Sequence, residues 1–155
     1  MKRTPSRRLW GLIAVIIASD QLTKHWALNR LSDNRVIDLV GSLRFKLAFN
    51  NGMAFSQATG AGPVIGALGF VVVVVIVVWL RRSARGGAAL AAGLIVGGAI
   101  GNLADRLLRG DAWLRGAVVD FIDLQWWPVF NVADAAISIG AVLMVVASVR
   151  KGAPA

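Results

Sequence analysis

The sequence predicts a membrane protein, mainly α-helical, with four transmembrane helices and a small extracytoplasmic β-rich platform. Three observations carry that expectation. The chain of 155 residues is 57% hydrophobic with only 16% charged residues, well below the charge of an ordinary soluble domain. Four apolar stretches each have about the 17–25 residues that cross a ~30 Å hydrocarbon core. The net charge of +9 is not spread evenly. Lys2, Arg3, Arg7 and Arg8, then Arg81, Arg82 and Arg85, then Arg150 and Lys151 each abut an apolar run. That is the pattern of topology anchors, not of a basic groove for nucleic acid.

Residues 9–28 form the first expected span, interrupted by Asp20 and Lys24. Residues 64–80 form the second, without interruption. Its β-branched run Val71–Val78 suits lipid, where the backbone can bond only to itself. Residues 88–107, rich in small side chains, form the third, and residues 129–149 the fourth. The whole chain, 1–155, reads as a single integral-membrane domain. Both termini in the cytoplasm put all three basic clusters on the inner side. Trp10, Trp26, Trp79, Trp126 and Trp127 fall at expected helix ends, as an interfacial aromatic belt requires. The basic start could instead open a cleaved signal peptide, but cleavage would remove Asp20 or strand it at a terminus.

The outer segments differ in kind. Residues 31–63 are expected to be β-rich, because Leu43, Phe45, Leu47 and Phe49 alternate with Arg44, Lys46 and Ala48. Asn51-Gly52 is a hairpin signal, with Met53–Phe55 as a possible return strand. Residues 108–128, with three tryptophans, read as a second outer loop that dips into the interface.

The acids then become informative. With 1.5 Å rise per residue, Asp20, Asp105 and Asp134 lie roughly 17, 25 and 23 Å from the inner ends of their helices. All fall in the outer half of the membrane, with Asp120 just beyond. Asn131, Asp134 and Ser138 form one helical stripe, and Gly98, Gly101, Asn102 and Asp105 another. Gly93, Gly97 and Gly101 make a small-residue ladder for close packing. Asp20 and Lys24, at i and i+4, read as a structural ion pair, and Asp105-Arg106 as a scaffold that orients neighbours. Asn102 and Asn131 read as interhelical hydrogen-bonding groups, and His25 as an interfacial residue. Asn50 and Gly52 are candidates for holding a substrate backbone.

Asp120 and Asp134 resist such structural roles. No basic residue lies at helical spacing from Asp134, and Val118, Val119, Phe121 and Ile122 flank Asp120. Two desolvated carboxylates brought together hold one proton between them, the arrangement of an aspartic peptidase. The chain has no cysteine or glutamate and a single histidine. A catalytic zinc is therefore poorly supplied, and no metal or other cofactor is expected.

At these residues the chain resembles the lipoprotein signal peptidases, or signal peptidase II. The blocks are SDQLTK (19–24), FNNGMAFS (49–56), GGAIGNLADR (97–106), GAVVDFID (116–123) and FNVADAAISIG (130–140). The resemblance implies an aspartic endopeptidase of the bacterial cytoplasmic membrane, active near its outer face. It would cut prolipoproteins just before a diacylglyceryl-modified cysteine. Asp120 and Asp134 match the family's catalytic pair. Asn50, Gly52, Asp20, Lys24, Gly98, Asn102, Asp105, Arg106 and Asn131 match positions that shape the pocket or hold substrate. Implied partners are prolipoprotein signal peptides, membrane lipids and globomycin-type inhibitors, with no nucleic acid. The chain departs from the family in a longer stretch between Asp105 and Gly116, a shorter one before Asn131, and Met53 where alanine is usual.

Rival functions fit the residues less well. A small proton-coupled transporter would need ionisable groups at several depths, and the inner halves of the four spans carry no Asp. A non-enzymatic signal-peptide binder would leave Asp120 and Asp134 without a purpose. A Ser-Lys peptidase lacks a serine beside Lys24.

Overall fold

The computed structural model describes residues 6–52, 62–82 and 86–152. Helix α1 spans Arg7–Leu31 and starts at Ser6, whose side chain accepts from Leu9 N. Two strands follow, β1 (Val36–Val40) and β2 (Leu43–Asn50), then helices α2 (Gly62–Arg82) and α3 (Gly86–Leu108). Strand β3 (Val118–Asp123) and helix α4 (Val132–Gly152) complete the chain. Three helices, α2, α3 and α4, are long and apolar enough to cross a membrane, with mean hydropathies of 2.9, 1.7 and 2.2. The 25-residue α1 carries Asp20, Gln21, Lys24 and His25 in its C-terminal half.

α3 is the centre of the bundle, packed against α1, α2 and α4. Its glycine ladder makes this possible. A methyl placed on Gly93 would lie 2.6 Å from Leu9 Cδ1, and one on Gly97 3.0 Å from Ile16 Cβ. α1 therefore rests directly on the α3 backbone along this face, as the small-residue spacing anticipates. One apolar cluster, built on Leu9, Ile13, Leu80, Ala92 and Val96, fills this region.

The three strands form one antiparallel sheet in the order β1-β2-β3. It caps the end of α1 through a second apolar cluster of Ala27, Leu31 and Phe121, with Ile37, Phe45 and Leu47 against it. Trp26 meets Phe45 edge-on at 5.2 Å between ring centres, so it joins this cluster as well as any interface. The sheet's far corner is tied by Arg44 Nε to Asp123 at 2.8 Å, while Gln125 donates its N–H to Asp123 and its side-chain amide to the Ser42 carbonyl. Burial alone would raise the Asp123 carboxyl, but the hydrogen bonds from Arg44 and Gln125 hold it below the usual carboxylate range.

The structure adds one hairpin and corrects two expectations. The described hairpin turns at Gly41-Ser42, between β1 and β2. Gly41 supplies the left-handed φ of 57° that the turn needs. The Met53–Phe55 return lies outside the described residues. Residues 118–123, read as part of a loop, form β3, with Ala48 opposite Asp120 and Asn50 opposite Val118. β3 is buried on both faces, so its apolar run lacks the alternation that signals a strand. Finally, α4 begins at Val132, because Phe130 is still paired with Ile122.

Candidate active site

The site lies where the C-terminal parts of α1 and α3, the first turn of α4 and strand β3 converge. It is built around the start of α4. Asn131 Oδ1 accepts from Asp134 N at 2.9 Å, and Asp134 Oδ2 accepts from Asn131 N at 3.2 Å. This is a reciprocal capping box, with Asn and Asp in the places of the usual Ser/Thr and Glu. Capping therefore fixes the Asp134 carboxylate on the mouth of the bundle. Asp134 Oδ1 takes a further hydrogen bond from Asn102 Nδ2 on α3 at 2.8 Å.

Asn131 also reaches the other acid. Its fully buried amide donates to Asp120 Oδ1 at 2.6 Å, with the Asn102 and Val119 oxygens as longer second acceptors. One asparagine thus holds both carboxylates. Burial pushes the Asp120 carboxyl up to about 7, and the negative charge of Asp134 adds to this, while the Asn131 hydrogen bond opposes it.

Beneath the pair sits a buried ionic hub. Lys24 Nζ contacts Asp20 Oδ2 at 2.8 Å, Asp105 Oδ2 at 2.8 Å and Asn102 Oδ1 at 2.9 Å, which uses all three ammonium donors. Lys24, Asp20 and Asp105 are all 0% exposed. Each acceptor then holds a neighbour of the acid pair. Asp20 Oδ1 accepts from Ala133 N at 2.9 Å, Asp105 Oδ2 from Val119 N at 3.2 Å, and Asn102 donates to Asp134. The expected Asp20–Lys24 ion pair is therefore present, and Asp105 has the scaffold geometry expected of it. Arg109, at i+4 from Asp105, closes the hub with a 2.7 Å contact.

The remaining singled-out residues take different positions. Gly98 does not open into a cavity: a methyl there would strike the Ala133 carbonyl, so this glycine lets α3 approach the α4 start. Asn50 ends β2 and accepts from Gly52 N at 3.0 Å, in a turn where Gly52 has φ 129°. Arg106 is buried at the end of α3. Sequence reasoning missed Gln21, whose amide lies 3.1 Å from Asp20 Oδ2, 3.1 Å from the Gly101 carbonyl and 3.2 Å from Asp105 Oδ1. A part-buried side chain that reaches across 80 residues leaves no mark in local spacing. Arg109 was legible in its i, i+4 distance from Asp105.

The charge inventory matters chemically. Asp20, Asp105, Asp120 and Asp134 are met by Lys24, Arg106 and Arg109, so one carboxylate among these residues lacks a counter-charge. Among the described residues no cluster of three or more metal-ligating side chains occurs.

Fold and site together define a helical membrane protein that keeps two close carboxylates, bridged by one asparagine, at the mouth of its bundle. Two solved structures described as bacterial membrane enzymes share the fold. They have TM-scores of 0.83 and 0.80 at 24% identity, covering 96% and 95% of this chain and 92% and 96% of theirs. Residues 12–150 match the family model described as signal peptidase (SPase) II. The lipoprotein signal peptidase of Mycobacterium leprae (strain Br4923) is 42% identical over 144 residues, covering 92% of this chain and 72% of that protein. That of Mycobacterium avium (strain 104) is 42% identical over 149 residues, covering 94% and 82%. That of Rhodococcus jostii (strain RHA1) is 43% identical over 155 residues, covering 92% and 74%. The chain belongs to the signal peptidase II family. It is a protease that removes signal peptides from prolipoproteins, and the transporter reading finds no support.

Proposed function

We propose that Asp120 and Asp134 are the catalytic pair of an aspartic endopeptidase that cuts just before a diacylglyceryl-modified cysteine. The observation that carries this reading is Asn131, which bonds to both acids within a cluster short of one positive charge. Such a pair holds a single proton. Asp120, with its ionisation near pH 7, is the member that keeps it. In the reaction Asp134 takes a proton from water as the water oxygen attacks the scissile carbonyl carbon, and Asp120 protonates the carbonyl oxygen. Collapse of the resulting diol breaks the C–N bond. One hydroxyl proton returns to Asp120, and Asp134 passes its proton to the leaving nitrogen.

The other site residues support this pair. Asp20, Lys24, Asn102, Asp105 and Asn131 hold its geometry through the hub, and Gly98 sets the approach of α4. Asn50, Gly52 and Arg106 face the substrate backbone. α1 joins the three strongly apolar helices as a fourth span, in one integral-membrane domain over 1–155. Its ion pair inside the bundle offsets the cost of Asp20 and Lys24 in lipid. The basic clusters favour cytoplasmic termini, and hence a pair near the outer face of the bacterial cytoplasmic membrane. There it meets a lipid-bearing cysteine without drawing acyl chains from the bilayer, and globomycin-type inhibitors are expected to compete.

The test is purified Asp120→Asn and Asp134→Asn protein with a diacylglyceryl-modified prolipoprotein and its unmodified counterpart. Wild-type protein is expected to cut the modified form alone, and each variant to lose at least 10³-fold in kcat, in line with losses at acid–base groups. Normal processing by either variant removes the assignment.

A further inference from the structure

Arg106 is only 6% exposed, yet its Nη1 has no hydrogen-bond partner among the described residues. Buried donors are seldom left unpaired. This one lies in the electric field of Asp120, Asp105 and Asp134, with Asp120 strongest. What encloses it is the long stretch between α3 and β3. Gly116 N bonds back to the Arg106 carbonyl at 3.0 Å, and Gly110 packs against the Gly116 backbone, so the loop is drawn onto the helix end. That closure turns Leu114 inward. It is 5% exposed and has φ 59°, a left-handed conformation disfavoured for any residue but glycine.

The space Leu114 fills is cut into α2. A methyl on Gly66 would lie 2.9 Å from Leu114 Cδ2 and 3.4 Å from Arg106 Cδ. A methyl on Gly62, one turn earlier, would lie 3.2 Å from the Asn51 carbonyl oxygen, 3.5 Å from the Leu114 carbonyl oxygen and 3.5 Å from Arg106 Nη1. The arginine therefore runs along two glycines of α2, with Leu114 seated against the same two glycines. Its free nitrogen and the Asn51 and Leu114 carbonyl oxygens all face the open side of Gly62, and the nitrogen bonds to neither oxygen.

We propose that Leu114 is a positioning residue: seated on Gly62 and Gly66, it closes an apolar sleeve around Arg106 and keeps Nη1 dry and available to a peptide carbonyl of the substrate. This rests on Arg106 belonging to the substrate-holding set proposed above. A glycine at 114 would relieve the backbone but leave the sleeve open to water.

Leu114→Gly is expected to raise KM for a lipidated prolipoprotein on the order of tenfold, the scale of one charge-assisted hydrogen bond, with kcat changed less than about threefold. Gly66→Ala, which pushes Leu114 outward, reproduces the KM effect, and Leu114→Met retains most of the wild-type KM. The deciding measurement is the Leu114→Gly/Arg106→Ala double variant, whose KM is expected to equal that of Arg106→Ala alone. If the two changes multiply, or Leu114→Gly acts on kcat alone, the positioning role is overturned while Arg106 keeps its place. If Arg106→Ala by itself leaves KM unchanged, the underlying reading fails first.

Discussion

Asn131 carries an unusual load for one residue. It caps α4, ties the cap to Asp134, and turns its amide to Asp120, all while fully buried. Because Asp120 is buried beside a second carboxylate, its ionisation is pushed well above the usual carboxylate range, up to about 7. The sign of the pH effect follows. A folded-state acid raised above its unfolded value binds its proton more tightly when folded, so stability falls as pH rises from about 4 to about 7. Asp120→Asn removes that penalty. Its thermal midpoint in detergent is expected to exceed wild type at pH 8, with the gap closing towards pH 4. Peptidase activity of the wild type should fall as pH rises through about 7, where the shared proton is lost. An activity flat from pH 6 to 9 would contradict the one-proton pair.

At the scale of elements, the hub explains why the site holds its shape. Lys24 on α1 reaches α3 through Asp105 and Asn102, and Asp20 and Asp105 pass the connection to the backbones of α4 and β3. Removing the ammonium strands two buried carboxylates, a change that typically costs about 3–5 kcal/mol. Lys24→Met is therefore expected to lower the unfolding midpoint sharply and to reduce activity, although Lys24 lies behind the acid pair. Adding Asp105→Asn should recover part of the stability, since one orphaned charge disappears. A Lys24→Met protein with an unchanged midpoint would show that the hub does not hold these elements together. The helices were legible because long apolar runs and cluster spacing are local signals. β3 was not, because burial on both faces erased its period. The Gly41-Ser42 hairpin was missed although Gly-Ser between two strand-like runs is itself a hairpin signal, because the period-2 pattern was read only from Leu43 onward.

Across the whole molecule, three helices meet the length and hydropathy of a span and the fourth carries Asp20 and Lys24 inward. The orientation can be read directly, because the chain contains no cysteine to interfere. A single cysteine at Ser42, exposed on the sheet, should react with an impermeant thiol reagent added to intact cells stripped of their wall. One at Ser83, between Arg82 and Arg85, should react only after the membrane is disrupted. The reverse pattern would invert the topology and put the acid pair on the wrong side for its substrate.

Membrane class, helical runs and the two acids worth attention all follow from the order of residues, because hydrophobic length and the cost of charge in lipid are properties of the chain alone. The pairing of Asp20 with Lys24 follows from it too, since i and i+4 meet on any helix. It took the folded packing to bring Lys24 to Asp105 and Asn102, to add Gln21 to them, and to let Asn131 bridge Asp120 to Asp134. Those contacts join residues far apart in the chain. They arise because α3's glycines let α1 and α4 approach its backbone, an outcome of packing that no local pattern records.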